Sequence, residues 1–215
     1  MLASPEQTQS LIDTFKKGSR LTYKKGEFII RPGEQLAAVF YIETGLVKAY
    51  DITKYGEENL LIIRKEHEIF PLIWAVTGQE RSVIYQVMSP TTVWRITREA
   101  YLEYLHGHPD SLAPILDMTI EMYRIHSERI MSLEYRTVRE RLVSFLLGSA
   151  TRFGVKKSEG TLIDVPLRQQ DIASSINASR ETTGREMSAL ERQGLIKVEK
   201  SLIMLLDKTK LKSFL

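Results

Sequence analysis

The chain of 215 residues contains no cysteine. That absence removes disulfides, thiolate zinc sites, cysteine-ligated iron–sulfur clusters and cysteine nucleophiles together. No apolar run approaches the roughly 18 residues that a membrane-spanning helix requires, so no membrane partner is expected. The opening stretch, MLASPEQTQSLIDTFKKGS, lacks a basic segment followed by an apolar one. No secretory signal is legible there, and a cytoplasmic location is expected. Histidine is scarce, with four in all. His106 and His108 form a His-x-His pair, but it falls at a helix end beside Pro109 with no third ligand near it, so surface histidines and no metal are expected. His67-Glu68 lacks the second histidine of a zinc-protease helix. Neither a Gly-x-Ser-x-Gly elbow nor a phosphate-binding glycine loop occurs. No catalytic residues and no enzyme are expected. The two tryptophans, Trp74 and Trp94, stand in strand-like context and read as core.

What the chain does contain is an uneven distribution of charge. Residues 1–135 hold 15 Lys/Arg against 18 Asp/Glu, a net of −3, while residues 136–215 hold 15 against 9, a net of +6. The basic third contains Val165 to Gly194, VPLRQQDIASSINASRETTGREMSALERQG. Its spacing predicts two helices joined by a tight turn. The first runs from about Arg168 to Ile176, with Ile172, Ala173 and Ile176 inward. Asn177 tolerates the left-handed conformation of a sharp turn, Ser179 stands where an N-cap belongs, and Gly194 stops the second helix as a C′ glycine. Thr183, Met187 and Leu190 form its buried stripe. Arg180, Glu181 and Arg185 lie off that stripe near the N-terminal end, the part of a recognition helix that meets base edges in the major groove. Arginine offers paired donors for guanine O6 and N7, and glutamate accepts from cytosine N4. The same three residues also fit a solvated face with an i, i+4 ion pair between Glu181 and Arg185. A helix-turn-helix on a basic domain favours DNA.

Taken in order, residues 5–17 read as a short helix with Leu11, Ile12 and Phe15 apolar. From Leu21 the period becomes that of strands: Phe28 to Ile30, Val39 to Ile42, Leu46 to Ile52, Leu60 to Ile63, Ile69 to Ile73, Val83 to Met88 and Thr91 to Ile96. Gly26, Gly33, Gly45 and Gly56 punctuate them as turn residues. Many short strands with such breaks predict an antiparallel roll or sandwich. A helix from Thr97 ends at Gly107, and Pro109-Asp110 opens a long one. Positions 112, 116, 119, 123, 126, 130 and 133 form one stripe along it, and Ile115, Met118, Met122 and Ile125 form a second. Two stripes on a helix of roughly 36 Å suit one face against the β domain and the other against a twin. Arg139 to Phe153 reads as an amphipathic helix, Gly154 to Gly160 as a basic loop, Leu195 to Val198 with Leu202 to Leu206 as a hairpin wing, and Lys208 to Leu215 as a last helical turn.

A roll, a long helix and a winged helix-turn-helix in that order resemble the Crp/Fnr family of bacterial transcription regulators, over nearly the whole chain. The residues that carry the likeness best are Ser179-Arg180-Glu181-Thr182 with Gly184-Arg185, and more weakly Glu140-Arg141-Leu142. The resemblance implies that Arg180, Glu181 and Arg185 read a TGTGA-like half-site and that Arg168, Gln170, Ser179 and Thr182 hold phosphates. It also implies a homodimer on a palindrome, with RNA polymerase as a further partner.

In cyclic-nucleotide-binding members a Gly-Glu pair precedes an Arg-Ser pair, the glutamate taking the ribose hydroxyl and the arginine and serine the cyclic phosphate. Here Arg81-Ser82 keeps the second pair, but Phe70-Pro71-Leu72 stands where the first is expected. Of the long-helix positions that meet the base, now His126-Ser127, only the serine is kept. Phe70, Pro71, Arg81, Ser82, His126 and Ser127 are thus the effector-pocket candidates. Burying Arg81 without an anion is costly; it faces an anionic ligand, pairs with Glu80 or Glu68, or stays in water. No cofactor is certain. A small effector is left open, cyclic AMP is disfavoured by the missing Gly-Glu pair, and haem through His67 or His126 more so.

The expected architecture is α+β: a cyclic-nucleotide-binding-like β-roll over 1–109, a dimerisation helix over 110–135 and a winged helix-turn-helix over 136–215. The expected function is a homodimeric DNA-binding regulator whose roll senses a small effector or is constitutively active. The alternative is a small-molecule-binding roll whose helix-turn-helix makes only protein contacts.

Overall fold

A computed structural model describes residues 2–215. They fall into two units: one runs up to Asp51 and from Leu61 to Tyr123, and the other takes Ile52–Leu60 with Arg124–Leu215.

In the first unit, helix α1, Pro5–Lys16, opens with a capping box. The Gln7 N–H donates to the Ser4 hydroxyl at 3.2 Å, and the Ser4 N–H donates to the Gln7 carboxamide at 2.9 Å. Then follow β1 (Ser19–Tyr23), β2 (Phe28–Ile30), β3 (Val39–Thr44), β4 (Val47–Ile52), β5 (Glu58–Arg64), β6 (Ile69–Phe70), α2 (Leu72–Thr77), β7 (Ile84–Val87), β8 (Thr91–Ile96) and α3 (Arg98–Gly107). The strands make two four-stranded sheets, β1-β8-β3-β6 and β2-β7-β4-β5, with antiparallel pairing such as Val39 opposite Ile96 and Val47 opposite Val87. Strand β3 is buried on both faces, hence its unbroken run Val39-Phe40-Tyr41-Ile42. Val39 and Tyr41 pack with Leu11, Phe15, Tyr101 and Leu105 of α1 and α3. Phe40 stacks on Phe70, and Phe70 stacks on Tyr85 of the other sheet at 4.6 Å between centroids. Gly45, with φ +98°, allows the β3–β4 turn to press against the chain: a Cβ there would lie 2.6 Å from the Pro90 carbonyl oxygen.

The strand expected over Ile69 to Ile73 is a correction. It ends at Phe70, because Pro71 has no N–H for a ladder and instead becomes the N-cap of α2. Trp74 therefore lies on a helix rather than a strand. A 3-10 turn, Pro109–Ser111, leads into helix α4, Leu112–Tyr135, whose Asp117 accepts from the Leu2 and Ala3 N–H groups at 2.9 Å each. One of its two stripes is accounted for: Ile115, Met118 and Met122 pack on the core of the first unit. The other leaves Leu112, Leu116, Tyr123 and Ile130 about half exposed or more, and Ile120, outside the expected stripe, is exposed beside them.

The second unit contains the rest: α5 (Val138–Phe153), β9 (Gly154–Lys157), β10 (Gly160–Ile163), α6 (Gln169–Ser175), α7 (Arg180–Arg192), β11 (Ile196–Glu199), β12 (Leu202–Leu205) and α8 (Lys208–Lys212). The basic loop expected over Gly154 to Gly160 is a second correction. It is a hairpin whose strands extend the wing into a sheet of order β11-β12-β10-β9. β9 is exposed along its whole length, so it carries no alternating pattern that sequence reasoning could detect. The β4–β5 hairpin tip belongs to this unit too, with Arg129 donating to the Asn59 side-chain carbonyl at 2.8 Å.

The joint between α4 and α5 is polar. Arg136 donates to Ser132 at 2.9 Å, to Ser144 at 2.8 Å and to Glu128, and Ser144 donates to Glu128 at 2.9 Å. The Arg136 guanidinium holds the Glu128 carboxyl below the usual carboxylate range, with Ser144 adding to it. A depressed folded value means stability present above the unfolded pKa, about 4.3, and lost as pH falls through the folded value. Glu128→Gln is therefore expected to cost below about 1 kcal/mol at pH 7, since the pair is half in solvent. Urea titrations should show this difference shrinking as pH falls below about 4.3; a gap that does not change with pH would assign the effect to packing instead.

Candidate nucleic-acid interface

Helices α6 and α7 are built as a helix-turn-helix by short-range rules. Asp171, almost fully buried, accepts from the Arg168 N–H at 3.0 Å and from its guanidinium at 2.8 Å, closing the start of α6. The turn uses Asn177 at φ +49°, and the Ala178 N–H returns to the Ala173 carbonyl at 3.0 Å. Ser179 caps α7 by accepting from the Thr182 N–H at 3.0 Å. At the far end Gly194 takes φ +68°, and the Leu195 N–H reaches the Leu190 carbonyl at 3.0 Å. Thr183, Met187 and Leu190 are buried. Arg139 of α5 braces α7 from behind by an ion pair with Glu186 at 2.6 Å.

The outward face of α7 presents the three base-reading candidates to solvent. Arg180, Glu181 and Arg185 are exposed, and the Arg185 guanidinium donates to the Thr182 hydroxyl at 3.2 Å. Of the phosphate candidates, Gln170 and Ser179 are exposed and Thr182 is half-buried. Arg168 is exposed but engaged, bonded to Asp171 and 3.5 Å from Glu58. The wing turn is the two-residue loop Lys200-Ser201, both at positive φ, between Glu199 and its partner Leu202. One residue of this face was not found from the sequence: Gln169, whose side-chain carbonyl accepts from Arg180 Nε at 3.3 Å. The only hint was a glycine inside a helical run, Gly184.

The effector candidates are placed differently. Phe70 is fully buried in its aromatic stack, Pro71 caps α2, and Arg81 and Ser82 are exposed in the segment before β7. Of the two carboxylates considered for Arg81, Glu68 is taken by Arg64 at 3.3 Å, a pair with side chains 7% and 13% exposed. His126 and Ser127 are half-buried on α4. His108, from the His-x-His pair, stacks on Tyr104 at 4.8 Å. Among the described residues, no group of three His, Asp or Glu is placed to hold a metal ion, and no helix is long and apolar enough to cross a membrane.

Comparison with known proteins matches both halves. Residues 20–108 match the cyclic nucleotide-binding domain, and residues 140–214 match the Crp-like helix-turn-helix domain. Over 185 residues the chain is 29% identical to the Global nitrogen regulator of Synechocystis sp., covering 85% of this chain and 82% of that one. Over 206 residues it is 26% identical to the Transcriptional activator protein anr of Pseudomonas aeruginosa, covering 96% and 83%. The fold is shared with FixK2 from Bradyrhizobium japonicum, at a TM-score of 0.78 and 21% identity over 91% of this chain and 96% of that one. It is shared also with the c-di-GMP responsive global regulator CLP of Xanthomonas campestris, at a TM-score of 0.79 and 19% identity over 93% and 99%.

Proposed function

The chain belongs to the Crp/Fnr family of DNA-binding transcription regulators, and from that premise we propose that it acts in the cytoplasm as a homodimer on a palindromic operator of TGTGA-like half-sites. The observation that carries this reading is the recognition face of α7. Arg180, Glu181 and Arg185 stand exposed on the first turns of a helix whose opposite side is sealed by Thr183, Met187 and Leu190. Ser179, Thr182, Gln170 and Arg168 surround them as phosphate contacts, which fix register while the three readers supply sequence. A helix-turn-helix used only for protein contacts has no need of base-reading side chains at that spacing.

The β-roll biases the dimer between two states of different DNA affinity. The missing Gly-Glu pair, with Phe70 buried against Phe40 and Tyr85 in its place, supports DNA binding without cyclic AMP. The remaining partner is RNA polymerase.

Fluorescence anisotropy on a labelled duplex with two TGTGA-type half-sites tests the reading, against a scrambled duplex, with and without cyclic AMP. Selective binding without nucleotide is the expected result. Arg180→Ala is expected to weaken binding to the right site by about 1–3 kcal/mol and to relax preference at one base pair. Equally weak binding to both duplexes, before and after the substitution, would sink the assignment of α7 as reader.

A further inference from the structure

Gly184 lies one turn beyond Arg180 on α7, on the same face. Its φ is not in the left-handed region, so backbone conformation does not explain the glycine. A Cβ at 184 would overlap Nε2 of Gln169, the first residue of α6, so any side chain there would have to displace that carboxamide. The same carboxamide accepts, through its oxygen, from Arg180 Nε at 3.3 Å. One half-buried amide group therefore touches both the bare backbone of the recognition helix and the side chain at its tip.

We infer that Gln169 is a positioning residue for base recognition, holding the Arg180 guanidinium in one pose through a carboxamide that only a glycine at 184 can accommodate. The inference rests on the reading of α7 as the DNA-contacting helix. A free arginine at a helix N-terminus samples many rotamers, and ordering it on contact with a base reduces the net gain from that contact. A neutral acceptor at Nε orders the side chain beforehand. It leaves the two terminal nitrogens free to donate in parallel to guanine. Gln169 itself need not touch DNA for this. Its loss is therefore felt at the base pair that Arg180 reads and not across the whole site, as loss of a phosphate contact would be.

The test uses the full chain and a duplex library randomised over the operator length, followed by anisotropy on the selected duplex and its single base-pair variants. Arg180→Ala first identifies the base pair that Arg180 reads. Gln169→Met, of similar length with no oxygen acceptor, is expected to lower discrimination at that base pair by about threefold to tenfold, the range of one ordinary hydrogen bond. Discrimination elsewhere should stay within about twofold. Gln169→Glu keeps the acceptor and should retain the discrimination even as added negative charge weakens binding overall. Gly184→Ala is expected to reproduce the Gln169→Met pattern, with a melting temperature no lower than wild type because alanine is the better helix former. In a Gln169→Ala background it should add nothing.

A uniform loss at every base pair, unchanged discrimination in Gln169→Met, or the same penalty for Gly184→Ala in both backgrounds would each overturn the inference while leaving α7 as the reader. If wild type enriches no sequence from the library, the reading of α7 falls and this inference falls with it.

Discussion

Truncating Leu190 to alanine is expected to lower the unfolding free energy by about 2–5 kcal/mol. Leu190 is fully buried, at the end of the inner stripe of α7 that begins with Thr183 and Met187. Its carbonyl also accepts the Leu195 N–H that closes the helix. The core of this small domain is also drawn from α5, β10, α6, β11 and β12, with Leu142, Leu146, Ile163, Ile172, Ile196 and Leu205 all at most 1% exposed. A cavity there has little chance to collapse, so the loss includes the missing contacts as well as the transfer of the methyl groups. Set against a typical total of about 5–15 kcal/mol, this is a large share of the stability of the domain that carries the readers. Urea melts followed by circular dichroism should show a lower midpoint, and Leu190→Met should restore most of it because volume is conserved. Arg185→Ala, on the opposite face, should change stability by no more than about 0.5 kcal/mol while still impairing DNA recognition. A loss below about 1 kcal/mol for Leu190→Ala would mean that the inner stripe is not what holds α7 in place.

What could be read from the chain and what could not divides by the range of the forces involved. The helix-turn-helix was legible in detail because its features are local: Ser179 as a cap, Asn177 and Gly194 at positive φ, and a stripe at 183, 187 and 190. The docked stripe of α4, Ile115, Met118 and Met122, was equally plain, since periodicity survives over 24 residues. The roll was readable as a class from its short strands and turn glycines, and Gly26, Gly33, Gly45 and Gly56 do all take positive φ. Hairpin β9–β10 was missed because its outer strand is exposed throughout and forms through its neighbour's hydrogen bonds, not its own pattern. The short helix after Pro71 was missed because Leu72-Ile73 continue an apolar run, and only the proline marked the change of period. Gln169 depends on how two helices pack against each other, which no spacing encodes. The buried pair Arg64–Glu68 is of the same kind: i, i+4 along the sequence, yet enclosed only once the sheets have formed.

The other large effect is expected from charging the open face of α4. Leu112, Leu116, Ile120, Tyr123 and Ile130 recur at spacings of four, four, three and seven, and each is between 47% and 75% exposed. An apolar stripe of that length, on a helix whose other stripe is already docked, is too large to be scattered surface hydrophobicity. The homodimer proposed above would bring a second copy of the same helix against it, in a two-fold arrangement where each residue meets its own counterpart or a near neighbour. Ile120→Glu then places two carboxylates together in a desolvated seam, which favours separation. In a single chain Ile120 is half exposed, so the fold itself should lose no more than about 0.5 kcal/mol. Sedimentation at micromolar concentration is expected to show wild type as a dimer and the variant as a monomer. On a palindromic duplex the variant should lose about 10²–10⁴ in affinity, because the second half-site no longer binds at the effective concentration set by the first. On a single half-site it should match wild type. If Ile120→Glu sediments as wild type and keeps its affinity for the palindrome, the exposed stripe of α4 is not the dimer seam, and the two-fold reading of the operator would have to rest on another surface.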